Sequence, residues 1–150
     1  MRSAYDALDS ETKLQIEDLV TEHSNAYSRD TIGFPKAAYG AEFQDKLRPV
    51  RHRLVRYDAR TGRKSLYLSA HIGTVVGWPI PEARAYIRDL TEHATGEAFV
   101  FAHQWKAWDL VIWDNRTTMH RARRYKDLTE IRDMRRSTIR GEAMTAQQAA

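Results

Sequence analysis

The stretch Trp113-Asp114-Asn115-Arg116-Thr117-Thr118-Met119-His120-Arg121 is the most informative part of this chain. The four apolar residues at 110–113 lead into it and predict a buried strand, because a short continuous apolar run suits a strand inside a sheet. The Asp-Asn pair then favours a turn, since both side chains bond readily to nearby backbone groups. His120 follows just past that turn, so the sequence presents an imidazole at the end of a predicted core strand.

A second segment, Arg132-Asp133-Met134-Arg135-Arg136-Ser137-Thr138-Ile139, begins a dozen residues after His120 and predicts another strand. Alternate side chains of a strand face the same side. Arg132 and Arg136 would therefore share a face, from which Arg135 is excluded. We expect His120, Arg132 and Arg136 to point into one cavity, where an imidazole beside two guanidinium groups suits a metal and a dicarboxylate.

These two segments resemble the C-terminal half of the taurine/2,4-dichlorophenoxyacetate (TauD/TfdA) dioxygenase family, whose members depend on non-haem iron(II) and 2-oxoglutarate. The resemblance extends over nearly the whole chain. It includes Tyr-Asp-Ala-Leu at 5–8, Arg-Lys-Ser-Leu-Tyr-Leu-Ser at 63–69 and Glu-His-Ala-Thr at 92–95. The resemblance implies an oxidoreductase, with iron(II) as metal and 2-oxoglutarate as co-substrate.

Four residues receive roles through this resemblance. His120 corresponds to the distal iron ligand, and Arg132 to the residue that anchors the far carboxylate of 2-oxoglutarate by a bidentate fork. Arg136 corresponds to an arginine that often meets the acidic group of the substrate. His71 follows Leu-Tyr-Leu-Ser, where family members line the pocket, and both a substrate contact and a surface or capping role stay open for it.

The chain departs from the family in its metal ligands. The family takes its other two ligands from an upstream His-x-Asp, and none of the six histidines here begins a His-x-Asp or His-x-Glu. A facial triad needs two histidines and one carboxylate. We therefore expect weak or absent iron(II) binding by this chain alone, and we interpret residues 1–140 as the C-terminal part of a dioxygenase domain. Residues 141–150 are expected to form a disordered tail.

The function expected by resemblance is hydroxylation of a small acidic substrate. Arg-Lys-Ser-Leu-Tyr-Leu-Ser and the run at 119–124 favour an aryloxyalkanoate over a taurine-like sulfonate. The alternative is a non-catalytic remnant, or a module that needs a second chain. A homo-oligomer and a complementing N-terminal half are the protein partners left open.

Composition narrows the remaining classes of function. The chain has 150 residues, which suits one domain, and it lacks cysteine, which excludes disulfides and thiolate chemistry. Its net charge of +4 permits nucleic-acid binding, but acids interrupt the arginines and no basic face with aromatic platforms is evident. No apolar run approaches the roughly 20 residues that span a bilayer. We expect no nucleic-acid or membrane partner and, since no signal peptide is evident, a cytoplasmic location.

The expected architecture is a β-rich α+β fold, a partial double-stranded β-helix (jelly roll) with flanking helices. Its elements follow from periodicity and turn signals. They are two helices within 3–23, the second capped by Asp9 or Ser10; a loop at 24–45; a hairpin of 50–58 and 64–69; an extension of that sheet at 72–76; a helix entered through Pro79 and Pro81; and strands at 99–105, 110–113 and 132–139.

Overall fold

The computed structural model of the chain describes residues 1–34, 40, 48–126 and 128–139. Within these described residues, the helices and strands all precede residue 100. In chain order they are α1 (Arg2–Asp6), α2 (Ser10–Ile16), β1 (Val20–His23), α3 (Asn25–Asp30), β2 (Val50–Arg53), β3 (Val55–Asp58), β4 (Arg63–Leu66), β5 (Ile72–Val75), α4 (Ile80–Ala94) and a 3₁₀ turn at Glu97–Phe99.

The N-terminal segment begins as predicted and then departs from the prediction. Asp9 caps α2, where its carboxylate accepts the backbone N–H of Thr12 at 2.8 Å. The prediction that this helix continues to His23 is wrong, because α2 ends at Ile16 and residues 20–23 form β1. β1 pairs on both sides with other strands, and this pairing overrides the helical spacing of Leu14, Leu19, Val20 and His23, on which the prediction depended.

The strands form two antiparallel sheets. One has the order β2-β1-β5, with Thr21 opposite both His52 and Val75. The other is the predicted hairpin β3-β4, in which Asp58 lies opposite Arg63 and Gly62 turns the chain with φ +68°. The prediction that 72–76 extends this hairpin sheet is wrong, since β5 pairs with β1 instead.

A single buried residue divides the predicted strand at 50–58 into β2 and β3. The backbone N–H of Leu54 donates to the carbonyl of Leu19, and its carbonyl accepts the N–H of Tyr67. Leu54 therefore links the two sheets through its own backbone, and its side chain is fully buried.

α4 forms as predicted and closes the core. Pro81 lies in its first turn, where the missing N–H costs no helical hydrogen bond. Its apolar stripe is buried against the rest of the domain through Ala83, Ile87, Leu90 and Ala94. The other core residues come from α1, α2, the hairpin and the strand that faces α4: Ala4, Tyr5, Ile16, Leu54, Val55, Leu66, Leu68, Ile72 and Val75.

The strands predicted at 99–105, 110–113 and 132–139 are absent from the described residues. Residues 100–126 and 128–139 contain no helix or strand. Leu110 is 84% exposed and Ile112 is 85% exposed, so the run predicted to be buried lies in solvent. A strand is stabilised by hydrogen bonds to a neighbouring strand, and the described part of the chain offers these segments no such neighbour.

Two further predictions concern the loop and the tail. The loop expected at 24–45 contains α3, whose cap is the Ser24 hydroxyl accepting the N–H of Tyr27 at 3.2 Å. Residues 35–39 and 41–47 of that loop, and the tail predicted at 141–150, lie outside the described residues.

Within the described residues no helix has both the length and the apolar character needed to cross a membrane.

Candidate functional site

His120 is held by a compact turn that the sequence predicted. Asp114 accepts the backbone N–H of Arg116 at 2.8 Å and also binds its guanidinium group through both carboxylate oxygens, which keeps the pKa of Asp114 below its usual range. The indole N–H of Trp113 donates to the side-chain oxygen of Asn115 at 2.8 Å. The imidazole of His120 packs on this fixed indole, with ring centres 4.7 Å apart. The turn therefore orients an otherwise exposed histidine.

Arg132 and Arg136 lie on an exposed, irregular segment. The guanidinium carbon of Arg132 is 5.5 Å from the ring centre of Tyr125. The prediction that both arginines share one face assumed a strand, and residues 132–139 do not form one. Within the described residues no hydrogen bond or ring contact joins His120 to either arginine. Their shared cavity stays a prediction.

His71 is fixed at three points in the connection between β4 and β5. Its backbone N–H donates to the hydroxyl oxygen of Ser69 at 3.2 Å, and its carbonyl accepts the N–H of Ser24 at 2.8 Å. Its ring Nδ1 lies 2.7 Å from the hydroxyl oxygen of Ser28. His71 as a whole is exposed.

A cavity of about 310 Å³ lies between α3, the β4–β5 connection, α4 and the segment that carries His120. Its size is at the lower end of small-molecule pockets. The lining residues are Tyr27, Ser69, Ala70, Ile72, Gly73, Arg84, Ile87, Arg88, Thr91, Glu92 and Met119. The cavity thus borders the immediate neighbours of two predicted site residues, because Met119 precedes His120 and Ala70 precedes His71.

His23, His52 and Tyr67 form an aromatic cluster that was not predicted from the sequence; His23 is buried in it, and the other two side chains are half-buried. The three ring centres lie 5.0–5.2 Å apart. His23 is only 7% exposed, and burial, followed by the charges of His52 and His71, lowers its pKa to about 4. Burial, followed by the charge of Arg56, also lowers the pKa of His52. The prediction of a helix at 20–23 did not suggest this cluster. A strand prediction would have placed Thr21 and His23 on the same buried face.

The donor set available for a metal is incomplete in the described residues. Residues 1–34, 40, 48–126 and 128–139 contain no group of three or more histidine, aspartate or glutamate side chains that could hold a metal ion. A facial triad requires three such ligands. His120 supplies one imidazole, so the described residues by themselves do not fit iron(II).

Comparison with known protein families gives a match over residues 1–138. The matching model is described as "Taurine catabolism dioxygenase TauD, TfdA family". The match includes all four predicted site residues.

Among curated relatives, the chain is 41% identical over 141 residues to an alpha-ketoglutarate-dependent 2,4-dichlorophenoxyacetate dioxygenase of Burkholderia sp. (strain RASC), covering 94% of this chain and 46% of the relative. It is 35% identical over 147 residues to an (S)-phenoxypropionate/alpha-ketoglutarate-dioxygenase of Sphingobium herbicidovorans, covering 95% of this chain and 50% of the relative. The chain therefore spans about half the length of these relatives.

Among solved structures, AAD-2 in complex with Mn(II) and N-oxalylglycine is 54% identical, with a TM-score of 0.88 over 97% of this chain and 56% of that chain. A putative alpha-ketoglutarate dependent 2,4-D dioxygenase from Burkholderia xenovorans is 45% identical, with a TM-score of 0.73 over 78% of this chain and 45% of that chain. The described antiparallel sheets thus share the fold of the corresponding parts of these enzymes.

Proposed function

Because this chain belongs to the TauD/TfdA dioxygenase family, we propose that residues 1–140 form the C-terminal part of a 2-oxoglutarate-dependent dioxygenase domain. One observation carries the proposal: the family match over residues 1–138 includes His71, His120, Arg132 and Arg136 together. A chance resemblance of one short motif would not extend over both segments and the β4–β5 connection.

In this proposal the chain contributes binding and orienting groups to a site that a second polypeptide segment completes. His120 offers one imidazole to iron(II), and its packing on Trp113 holds the ring in place. Arg132 binds the far carboxylate of 2-oxoglutarate as a two-point fork. Because the described residues alone do not fit the metal, we derive no chemical step through it. The oxidation belongs to the bound metal and co-substrate rather than to these side chains.

The proposed substrate is a small aryloxyalkanoate, with a sulfonate as the less favoured choice. Support comes from relatives named for 2,4-dichlorophenoxyacetate and phenoxypropionate. Arg136 would bind the substrate carboxylate, and His71 would contact the substrate from the β4–β5 connection. The contacts that fix the backbone of His71 suit this role, since a fixed imidazole loses little freedom on binding.

The proposed architecture is a partial jelly roll with flanking helices. The apolar side chains that the segment 100–139 exposes support it, including Phe101, Trp108, Leu110, Ile112, Ile131 and Ile139. We infer that another polypeptide segment covers these side chains in the complete domain. Strands of the complementing segment would pair with this part of the chain and bury that surface. A cytoplasmic location remains part of the proposal.

The same exposed surface favours the second candidate, a non-catalytic module that associates with another chain. The two candidates differ in whether complementation produces turnover. The purified chain should be mixed with an N-terminal polypeptide of a relative that carries His-x-Asp, and succinate release from 2-oxoglutarate should be followed with 2,4-dichlorophenoxyacetate and oxygen. The dioxygenase proposal predicts succinate release only from the mixture. Association without turnover would support the binding module, and turnover by the chain alone would contradict the incomplete site.

A further inference from the structure

We propose that His23 is a positioning residue, which fixes the hydroxyl of Ser69 and through it the His71 turn at the edge of the cavity. The inference rests on the proposed function for its link to substrate binding, but the positioning itself is a property of this chain. Ser69 lines the cavity directly. His23 lies behind it in β1 and is buried.

The hydrogen bonds around His23 specify one arrangement of protons. The Thr21 hydroxyl lies 3.2 Å from the carbonyl oxygen of His52, and a carbonyl can only accept. The single hydroxyl proton of Thr21 therefore points to His52. The second contact of that hydroxyl, 2.9 Å to Nε2 of His23, must then be a bond that the ring donates.

This arrangement extends from His23 to Ser69. A neutral imidazole that carries its proton on Nε2 has an acceptor at Nδ1. Nδ1 lies 3.1 Å from the Ser69 hydroxyl oxygen, so Ser69 donates its proton to His23. The same oxygen accepts the backbone N–H of His71 at 3.2 Å. The hydroxyl of Ser69 is thereby held in one rotamer. Its proton points to Nδ1 of His23, and one of its lone pairs points to the backbone N–H of His71.

The surroundings of His23 keep the ring in this role. The rings of His52 and Tyr67 pack against it at 5.1 and 5.2 Å, which restricts its rotation. Burial and the charges of His52 and His71 disfavour its protonated form. A protonated ring would donate from both nitrogens and could no longer accept from Ser69. The adjacent residue Ser24 donates its N–H to the His71 carbonyl, so β1 and its following residue hold both sides of the turn.

The first test reads the proton on the ring. In the ¹⁵N-histidine-labelled chain at pH 7, we expect His23 to show a protonated Nε2 and an unprotonated Nδ1 in long-range ¹H–¹⁵N spectra. This measurement needs neither metal nor substrate. A spectrum with the proton on Nδ1 would overturn the proposal, because that ring could not accept from Ser69.

The second test follows amide hydrogen exchange at His71, which reports local opening. Ser69→Ala should speed exchange about tenfold, since one hydrogen bond is lost. His23→Leu should speed it about threefold or more by freeing the serine rotamer. His23→Asn can still present an acceptor to Ser69 and should stay near the wild-type rate. His93→Asn is the matched control, because His93 bonds to the carbonyl of Ala4, remote from the turn.

Two outcomes would contradict positioning by His23. One is an unchanged His71 amide in His23→Leu. The other is faster exchange of equal size in the β3–β4 hairpin, which would show general destabilisation instead. The substrate link is tested separately in the complemented enzyme: if the exchange results hold but His71→Ala leaves KM for 2,4-dichlorophenoxyacetate unchanged, the substrate role of His71 fails and the positioning role stands.

Discussion

Arg132 and Arg135 lie three positions apart, and the proposed function gives them opposite importance. In the complemented enzyme, Arg132→Ala should weaken 2-oxoglutarate binding by about 3–5 kcal/mol, more than a hundredfold, because it leaves a buried carboxylate without its partner. Titration with 2-oxoglutarate under anaerobic conditions measures the effect. Arg135→Ala is the matched control and should change affinity little. Equal effects from the two substitutions would show that Arg132 is not the specific anchor of the 2-oxoglutarate carboxylate.

His23 makes a prediction about stability and pH. Its folded pKa, about 4, is below the unfolded value of 6.5, so the unfolded chain binds a proton first as the pH falls. The contribution of a neutral His23 is complete above pH 6.5 and declines between pH 6.5 and 4, by about 3 kcal/mol in total. Denaturant unfolding at pH 7 and pH 4 should show this loss in the wild-type chain.

His23→Asn is the comparison, since asparagine does not titrate. It should lose less stability than the wild-type chain over the same interval. The lowered pKa values of Asp58 and Asp114 act in the same direction at lower pH and are common to both proteins. Equal losses in the two proteins would contradict the assignment of a neutral, buried His23.

Two elements, α4 and the β3–β4 hairpin, formed as the sequence predicted. Pro81 and the apolar stripe predicted α4, and Gly62 predicted the turn between β3 and β4. Residues 20–23 were predicted to be helical because Leu19, Val20 and His23 fit helical spacing, and only pairing with β2 and β5 selects the strand. Local chemistry was sufficient for α4 and the hairpin, while a strand with non-adjacent partners depends on residues far away in the chain.

The packing of α4 can be tested with leucines in opposite environments. Leu90 is 5% exposed on the inner face of α4, and Leu14 is 81% exposed on α2. Leu90→Ala should lower the free energy of unfolding by about 2–5 kcal/mol through lost burial and a cavity. Leu14→Ala deletes the same atoms at a solvent-exposed position and should change stability by less than about 0.5 kcal/mol. Thermal and denaturant unfolding would measure both, and similar losses would contradict the described core.

At the scale of the whole molecule, the donor set predicts how this chain handles iron(II). One imidazole at His120 cannot form a facial triad, and the described residues contain no alternative cluster. Anaerobic calorimetry should therefore show weak or absent binding by the chain alone. Addition of the His-x-Asp polypeptide should produce stoichiometric binding that His120→Ala abolishes. Tight binding by the chain alone would mean that other ligands have been recruited.

The sequence by itself determined the family, α4, the β3–β4 hairpin and the identity of the four site candidates. These follow from side-chain chemistry and short spacings between residues, and both are visible in the sequence itself. Only the tertiary structure decided that residues 20–23 form a strand, that His52 and Tyr67 cluster around a buried His23, and that Ser69 connects this cluster to His71. The segment 100–139 likewise could not be predicted from its own pattern. Its apolar alternation predicts strands, but a strand needs a neighbouring strand for its hydrogen bonds, and the described residues provide none.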